Sequence, residues 1–210
     1  MNTKKWKFTP LQIAAHLGSL IPLALMLWDI FSGNLGVDPI RDFTLRTGKT
    51  ALILLLLSLA CTPVNTLFKF KQVLKLRRPF GLYSFFYVSV HFAIFIGVDY
   101  FFDWNLIQDA LLEKRYALVG LTTGLILLAL AITSTIGWQR RLKKNWKKLH
   151  KLAYIAGVLA VVHYIWLVKQ GVLDPWYFAA ILLVLLSLRI PAIRKSITSL
   201  RTRKLQRTSR

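Results

Sequence analysis

The chain has 210 residues, of which 55% are apolar, and its mean hydropathy is +0.50. That is more apolar than an ordinary soluble domain, so the composition indicates a membrane protein. The formal net charge is +21. The single cysteine, Cys61, excludes an internal disulfide and is predicted to be a buried, inert thiol.

Six apolar segments approach the roughly 20 residues that a helix needs to cross a bilayer core of about 30 Å. In chain order they lie near residues 11–30, 50–67, 81–101, 116–136, 152–168 and 172–190. The last is the weakest, because Asp174 and Pro175 interrupt its start. The first lacks a small-x-small cleavage site and is predicted to stay as the first helix. The sequence therefore predicts an all-α membrane protein, a six-transmembrane-helix bundle forming one domain over residues 1–210.

The basic residues alternate between the predicted loops. With six crossings, 23 of the 29 lysines and arginines fall on one side: Lys4, Lys5, Lys7, Lys69, Lys71, Lys75, Arg77, Arg78, Arg140, Arg141, Lys143, Lys144, Lys147, Lys148, Lys151 and the eight from Arg189 onward. The positive-inside rule then predicts both termini in the cytoplasm, with residues 191–210 as a basic cytoplasmic tail. Topology and contact with anionic membrane lipids account for most of the charge, so no nucleic-acid partner is predicted.

The connections on the opposite side are rich in turn residues and acids. The segment LIQDALLEKRY at 106–116 predicts a short interfacial helix. Tryptophans cluster at the predicted interfaces, which is typical of anchoring. No internal repeat is evident along the chain.

Two of the four histidines lie at similar depth in two predicted spans. His91 is about ten residues into the third span and His163 about twelve residues into the fifth. At about 1.5 Å per residue, both lie about 15–18 Å from the predicted cytoplasmic ends. An ionisable side chain inside a span is costly, and indicates a functional site. Two neutral imidazoles at matched depth are suited to the two axial positions of a haem iron. The alternative is that each histidine donates one hydrogen bond to a neighbouring helix.

Other chemistry fits this pair less well. Zinc takes a third or fourth protein ligand, and only His16 lies at a depth that approaches the pair. A proton relay usually includes carboxylates, and no span has one in its middle. The chain shows no nucleophile–base set, glycine-rich phosphate loop or paired carboxylates, and no CxxCH motif for covalent haem attachment. No catalytic residue is therefore predicted.

The remaining histidines lie nearer the basic side. His150 precedes His163 by 13 residues, about 19.5 Å along a helix, which leaves room for a second haem. Its counterpart on the third span falls near positions 77–78, where Arg77 and Arg78 stand instead of histidine. Arg77, Arg78 and Lys147 are candidates to pair with propionate or flavin phosphate oxygens, with lipid contact as the alternative. His16 is predicted to be structural, or to approach an inner haem or a quinone.

Six sequence motifs are spread over essentially the whole chain: GVDPIRDF (36–43), TGKTAL (47–52), CTPV (61–64), RRPFGLYSFFYVSVH (77–91), TST (133–135) and NWKKLHKLAYIAGVLAVVHYIW (145–166). Together they resemble the MsrQ family, the haem-binding membrane subunits of protein-methionine-sulfoxide reductase systems. More distantly, the arrangement is similar to ferric reductase and NADPH oxidase membrane domains. It departs from that wider pattern, because the inner histidine of the third helix and any FAD/NADPH-binding domain are missing.

The resemblance implies a ferric reductase-like bundle in the bacterial inner membrane that carries one or two b-type haems. His91, His150 and His163 match the histidines that the family links to haem. The resemblance further implies FMN, with quinol or a cytosolic flavin reductase as electron donor, and a periplasmic molybdopterin subunit that reduces methionine sulfoxide. The rival hypotheses are a stand-alone ferric or oxygen reductase-like cytochrome, and a transporter or structural membrane protein without haem.

Overall fold

The computed structural model describes residues 8–168 and 171–191 of the chain. Within these residues the regular structure is helical and no strand is present. The α-helices are α1 (Pro10–Phe31), α2 (Pro39–Phe68), α3 (Arg77–Ala93), α4 (Trp104–Glu113), α5 (Arg115–Ile132), α6 (Ile136–Leu142), α7 (Lys144–Leu149), α8 (Leu152–Leu167) and α9 (Asp174–Ser187). A 3-10 helix, Lys71–Leu76, precedes α3, and a π-helix, Ile94–Asp99, follows it. Lys4, Lys5, Lys7, Lys169 and positions 192–210 of the predicted tail lie outside the described residues.

Five segments of the described chain are long and apolar enough to cross a membrane, so the protein is a multi-pass membrane protein. They are Pro10–Phe31, Pro39–Phe68, Lys71–Asp99, Arg115–Ile132 and Lys144–Leu167. The sixth predicted span corresponds to α9, whose 14 residues are apolar but short for a crossing. The count of six crossings and the cytoplasmic position of both termini therefore remain predictions.

Most helix boundaries agree with the hydropathy pattern, but α2 begins at Pro39, well before the predicted span. The extension carries charged side chains that hydropathy assigns to a loop. Asp38 caps its first turn by accepting a hydrogen bond from the Arg41 N–H. Arg46 pairs with Asp42 on the same helix at 2.8 Å and with Asp29 at the end of α1 at 2.6 Å. Hydropathy therefore marks only the lipid-embedded part of a longer helix.

The other connections also contain helices. The predicted helix between the third and fourth spans is present as α4, where the Asp103 carboxylate accepts from the Asn105 and Leu106 N–H groups. The basic connection between α5 and α8 folds into the short helices α6 and α7, which the sequence pattern did not predict.

Two helix pairs form the centre of the bundle: α2 packs along α3, and α5 packs along α8. A buried cluster of Leu55, Leu127, Leu130 and Ala156 joins the two pairs. Large apolar side chains on the opposite faces of the helices stay exposed, among them Leu17, Leu125 and Leu183. A soluble monomer rarely exposes so much apolar surface, whereas lipid covers it in a membrane.

The hydroxyl of Tyr87 repairs a break in α1. Pro22 removes an N–H from that helix, and Tyr87 on α3 is fully buried beside the break. The Leu23 N–H donates to the Tyr87 oxygen at 3.1 Å, and the Tyr87 hydroxyl donates to the Ser19 carbonyl at 2.8 Å. In an unbroken helix these two backbone groups would pair directly. Tyr87 thus fixes α1 against α3 by inserting into its hydrogen-bond ladder.

We expect Tyr87→Phe to lower the free energy of unfolding by about 1–3 kcal/mol, because it leaves two buried backbone groups without a partner. Reversible denaturation in mixed micelles measures the change. Tyr177→Phe, on an exposed ring of α9, is the control and should leave the unfolding free energy within about 0.5 kcal/mol of the parent. Equal free energies of unfolding for the two variants would show that the bridge from Tyr87 to α1 does not stabilise the fold.

In α2 a side chain likewise replaces a backbone hydrogen bond that is lost at a proline. Pro63 cannot donate to the carbonyl of Leu59, and the Arg189 guanidinium donates to that carbonyl instead. The same guanidinium donates to the Tyr154 hydroxyl and stacks over its ring, 4.7 Å from the centroid. The residues just after α9 are thereby joined to both α2 and α8.

Candidate functional site

The bundle brings the imidazole rings of His91 of α3 and His163 of α8 next to each other. Their ring centroids lie 6.3 Å apart, and the two ring planes are nearly perpendicular, at 86°. The two histidines are far apart in sequence, so this contact depends on the packing of α2–α3 against α5–α8. Residue counting predicts equal depth for the two histidines. In the structure they lie at the same level of the bundle, with their rings next to each other.

Each ring is oriented by a backbone carbonyl on the neighbouring helix. His91 Nδ1 lies 2.9 Å from the Thr44 carbonyl oxygen, and His163 Nδ1 lies 2.7 Å from that of Tyr116. A carbonyl only accepts, so each Nδ1 carries the proton and donates. The nitrogen left with a free lone pair is Nε2 in both rings. Metal-binding histidines commonly show this arrangement, in which the hydrogen bond from one ring nitrogen fixes the tautomer and the other nitrogen binds the metal.

The separation of the rings fits two axial ligands on one metal. A metal–imidazole bond is about 2 Å and a ring nitrogen lies about 1.2 Å from the ring centre, so two ligands on one ion place their centroids about 6.4 Å apart. The observed 6.3 Å agrees with that value. Within residues 8–168 and 171–191 no group of three or more His, Cys, Asp or Glu side chains comes together. A set of two histidines therefore fits haem iron, for which the porphyrin supplies the other donors, better than it fits zinc.

The two ring sites are equivalent parts of two similar halves, residues 44–91 and 116–163. The carbonyls of Thr44 and Tyr116 each lie 47 residues before the histidine that they orient. Glycine follows each carbonyl residue by four positions, as Gly48 and Gly120, and each glycine faces the same ring as the carbonyl. Both halves run in the same order, first the helix with the carbonyl and then the helix with the histidine.

The equivalence extends to the buried core. The alignment that pairs His91 with His163 also pairs buried positions of the two halves. Pairs that are buried in both halves include Ala51 and Thr123, Leu55 and Leu127, Ser58 and Leu130, and Ser84 and Ala156. The sequence shows no internal repeat, so the similarity of the two halves is one of position and burial. Few positions are identical between the halves, because apolar side chains substitute for one another in lipid, and the structure was needed to reveal the register.

Nearer the basic loops, a cavity of about 220 Å³ lies between the same two halves. His150, Arg77 and Arg78 all line it, so three of the predicted site residues come together. Five of the lining pairs are equivalent in the two halves: Leu55 and Leu127, Ser58 and Leu130, Leu74 and Trp146, Arg78 and His150, and Gly81 and Ala153. Arg78 therefore occupies the position in the first half that His150 occupies in the second.

His150 differs from the apposed pair in its contacts. Its Nε2 lies 3.2 Å from the Thr133 hydroxyl oxygen, and its ring stacks on Trp146 with centroids 4.1 Å apart. The Trp146 indole in turn donates to the Thr133 carbonyl at 2.8 Å. Trp146 and Thr133 thus hold the imidazole at the wall of the cavity. A role for His150 as an iron ligand remains a prediction.

The remaining predicted residues lie away from these sites. Lys147 is exposed on α7 and is absent from the cavity wall. His16 on α1 is half-buried, and its Nδ1 lies 3.0 Å from the Tyr83 hydroxyl of α3. That contact agrees with the structural interpretation of His16. Sequence reasoning missed Gly48 and Gly120, although a glycine inside an apolar helix is itself a signal of close approach.

The bundle is long enough to cross a bilayer, and its two central helix pairs bring two half-buried histidines together. These features define a multi-pass membrane protein of the ferric reductase-like class. The family described as ferric reductase like transmembrane component matches residues 47–161. The chain belongs to this family and, within it, to the MsrQ proteins.

Membership rests on relatives that share most of their length with the chain. The protein-methionine-sulfoxide reductase heme-binding subunit MsrQ of Xanthomonas euvesicatoria pv. vesicatoria is 44% identical over 181 residues, 83% of each chain. The subunit of the same name from Xanthomonas campestris pv. campestris is 43% identical over 183 residues, 84% of each chain. That of Rhodospirillum rubrum is 43% identical over 186 residues, 88% of this chain and 89% of the relative. No solved structure gave a significant match to the chain.

Proposed function

We propose that this chain is a b-type cytochrome subunit that carries electrons across the bacterial inner membrane to a periplasmic molybdopterin methionine sulfoxide reductase. The observation that carries the proposal is the apposed His91–His163 pair, with both Nδ1 atoms engaged and both Nε2 atoms free. Residues His91 and His163 would hold the haem iron. When bound, haem supplies a carrier that takes up and releases one electron at a time.

The protein residues around the pair control its surroundings. The Thr44 and Tyr116 carbonyls strengthen the basicity of the two rings by accepting their protons in hydrogen bonds. Phe92 lies edge-on to His91, with centroids 6.2 Å apart, and Tyr116 lies beside His163 at 6.1 Å. These aromatic side chains exclude water and lower the local dielectric, which are the means by which a protein sets a redox potential.

We place the side of electron entry at the basic end, which the positive-inside rule assigns to the cytoplasm together with both termini. Arg77 and Arg78 are suited to pair with propionate or phosphate oxygens in the cavity that His150 also lines. A second haem held with the help of His150 is part of this proposal. Lys147 lies outside the cavity wall, and its pairing with propionate or phosphate oxygens stays a prediction.

The identity of the donor is proposed on the resemblance alone. Quinol or a cytosolic flavin reductase would supply the electrons, and FMN is the additional cofactor that the resemblance implies. The sulfoxide reduction itself is assigned to the periplasmic partner, because the chain carries no residues suited to that chemistry. A single domain over residues 1–210 with a basic cytoplasmic tail completes the proposal.

An optical experiment tests this function. Purified protein in lipid nanodiscs should be red, with sharp α and β bands after dithionite reduction. On rapid mixing without oxygen, reduced protein should be reoxidised by a periplasmic molybdopterin methionine sulfoxide reductase plus methionine sulfoxide, at least about tenfold faster than by the reductase alone.

The outcomes separate the rival hypotheses. Colourless protein after haem-supplemented expression supports a transporter or structural protein and overturns the proposal. Reoxidation that is fast with a ferric chelate or with oxygen, and unchanged by the sulfoxide reductase, supports a stand-alone reductase instead.

A further inference from the structure

Gly48 and Gly120 stand at the points where the two imidazoles approach neighbouring helices. A Cβ atom at position 120 would lie 2.8 Å from His163 Cε1 and 2.9 Å from its Nδ1. A Cβ atom at position 48 would lie 3.3 Å from the same two atoms of His91. Carbon atoms in contact are normally about 3.5–4.0 Å apart, so a side chain at either position would press on a ring.

The position of each glycine follows from helix geometry. In an α-helix, Cβ bonds tilt toward the N-terminus, so residue i+4 covers the surface beside the carbonyl of residue i. Gly48 is four residues after Thr44, and Gly120 is four residues after Tyr116. Without a Cβ at the later position, the carbonyl at the earlier position is open to a donor from another helix.

The same arrangement occurs twice, at equivalent positions of two halves that share few other identities. Glycine is a poor choice for the middle of a helix, where it costs about 1 kcal/mol relative to alanine. Gly18 shows that a span of this chain also contains glycine with nothing near it, so a histidine contact is no general property of its glycines. The two ring sites share both the carbonyl and the glycine.

We propose that Gly48 and Gly120 are positioning residues for the two histidines. Each leaves a gap through which the imidazole reaches the carbonyl four residues earlier, and thereby sets the ring plane and the direction of Nε2. The inference rests on the proposed haem-binding function and adds the residues that fix the geometry of the ligands. The shorter distances at Gly120 predict that His163 is more sensitive than His91.

The test compares single alanine variants of the full chain, purified with haem. Gly120→Ala should weaken haem retention about tenfold, as loss of an outer partner commonly does at metal sites. Gly48→Ala should keep its haem, because a shift of a few tenths of an ångström relieves the contact. Its low-spin EPR signal, which reports the angle between the axial ring planes, should nevertheless move.

Two further glycines serve as controls. Gly18→Ala has nothing within 4 Å and should match the parent in haem content and EPR signal. Gly157→Ala on α8 would place its Cβ 3.3 Å from the side chains of Leu182 and Leu59, so it presses on the core without touching a histidine or Phe92. It should lower the unfolding temperature while the remaining haem keeps the parent EPR signal.

Failure of the inference is distinct from failure of the proposed function. Parent protein without haem removes the function. Red parent protein with a Gly120→Ala variant of unchanged haem content and unchanged EPR signal removes only the positioning role. Equal loss of haem in Gly120→Ala and Gly157→Ala, with the same altered EPR signal, would assign both glycines to general helix packing and would also overturn the inference.

Discussion

Alanine in place of either His91 or His163 is expected to remove the same haem. The rings are 6.3 Å apart, and each leaves only Nε2 free, so both would bind one iron from opposite faces. Loss of either ligand should lower the occupancy of that site at least about tenfold, since outer partners alone are worth roughly 10–100-fold. Reduced-minus-oxidised spectra and the pyridine haemochrome content per protein measure the loss.

His16→Ala is the matched control, because its imidazole also lies in a span but is bonded to Tyr83 of the neighbouring helix. It should retain the haem content of the parent. The decisive comparison is between the two ligand variants. If His91→Ala and His163→Ala lose haems with different α-band positions, the rings belong to separate sites and the pairing is wrong.

Histidine in place of Arg78 is expected to raise the number of bis-histidine haem centres from one to two per chain. Arg78 occupies the position in the first half that His150 occupies in the second, and both line the same cavity. The register that aligns these two positions is the one that aligns His91 with His163. Replacing the long guanidinium side chain with imidazole also enlarges the cavity. EPR integration of low-spin haem against protein concentration measures the change.

Arg77→His places the same side chain one residue earlier, about 100° around α3, and serves as the control. Both arginines line the cavity, but the equivalent of Arg77 in the second half is Leu149. Arg77→His should therefore leave the count of bis-histidine centres at one. A second centre in both variants, or in neither, would show that the equivalence of the halves does not extend to the inner cavity.

The sequence predicts the membrane class, five of the long helices and the depth of the histidines. These properties follow from counting along one helix, because each residue adds about 1.5 Å and apolar side chains must face lipid. Depth alone could pair His91 with His163, and it could locate Arg77 and Arg78 near the level of His150. It could not choose between the two arginines, because that choice depends on the rotation of each helix.

Some features were missed because the side chains involved have partners that hydropathy does not record. The part of α2 that precedes the predicted span contains Arg46, which pairs with Asp29 of another helix. The bridge from Tyr87 to α1 depends on Pro22, which is far from that tyrosine in sequence. In both cases the partner comes from a distant segment, and no local pattern identifies it.

The chain by itself therefore determined what lies in the membrane and at which depth, since those are properties of single helices. Only the tertiary structure decided which nitrogen of each histidine is free, which carbonyls orient the rings and why Gly48 and Gly120 stand where they do. The physical reason is that ring orientation is set by side-chain packing between helices, and the histidines here contact partners that are distant in the chain. The same reason hid the similarity of the two halves, because the aligned positions share burial more than they share amino acids.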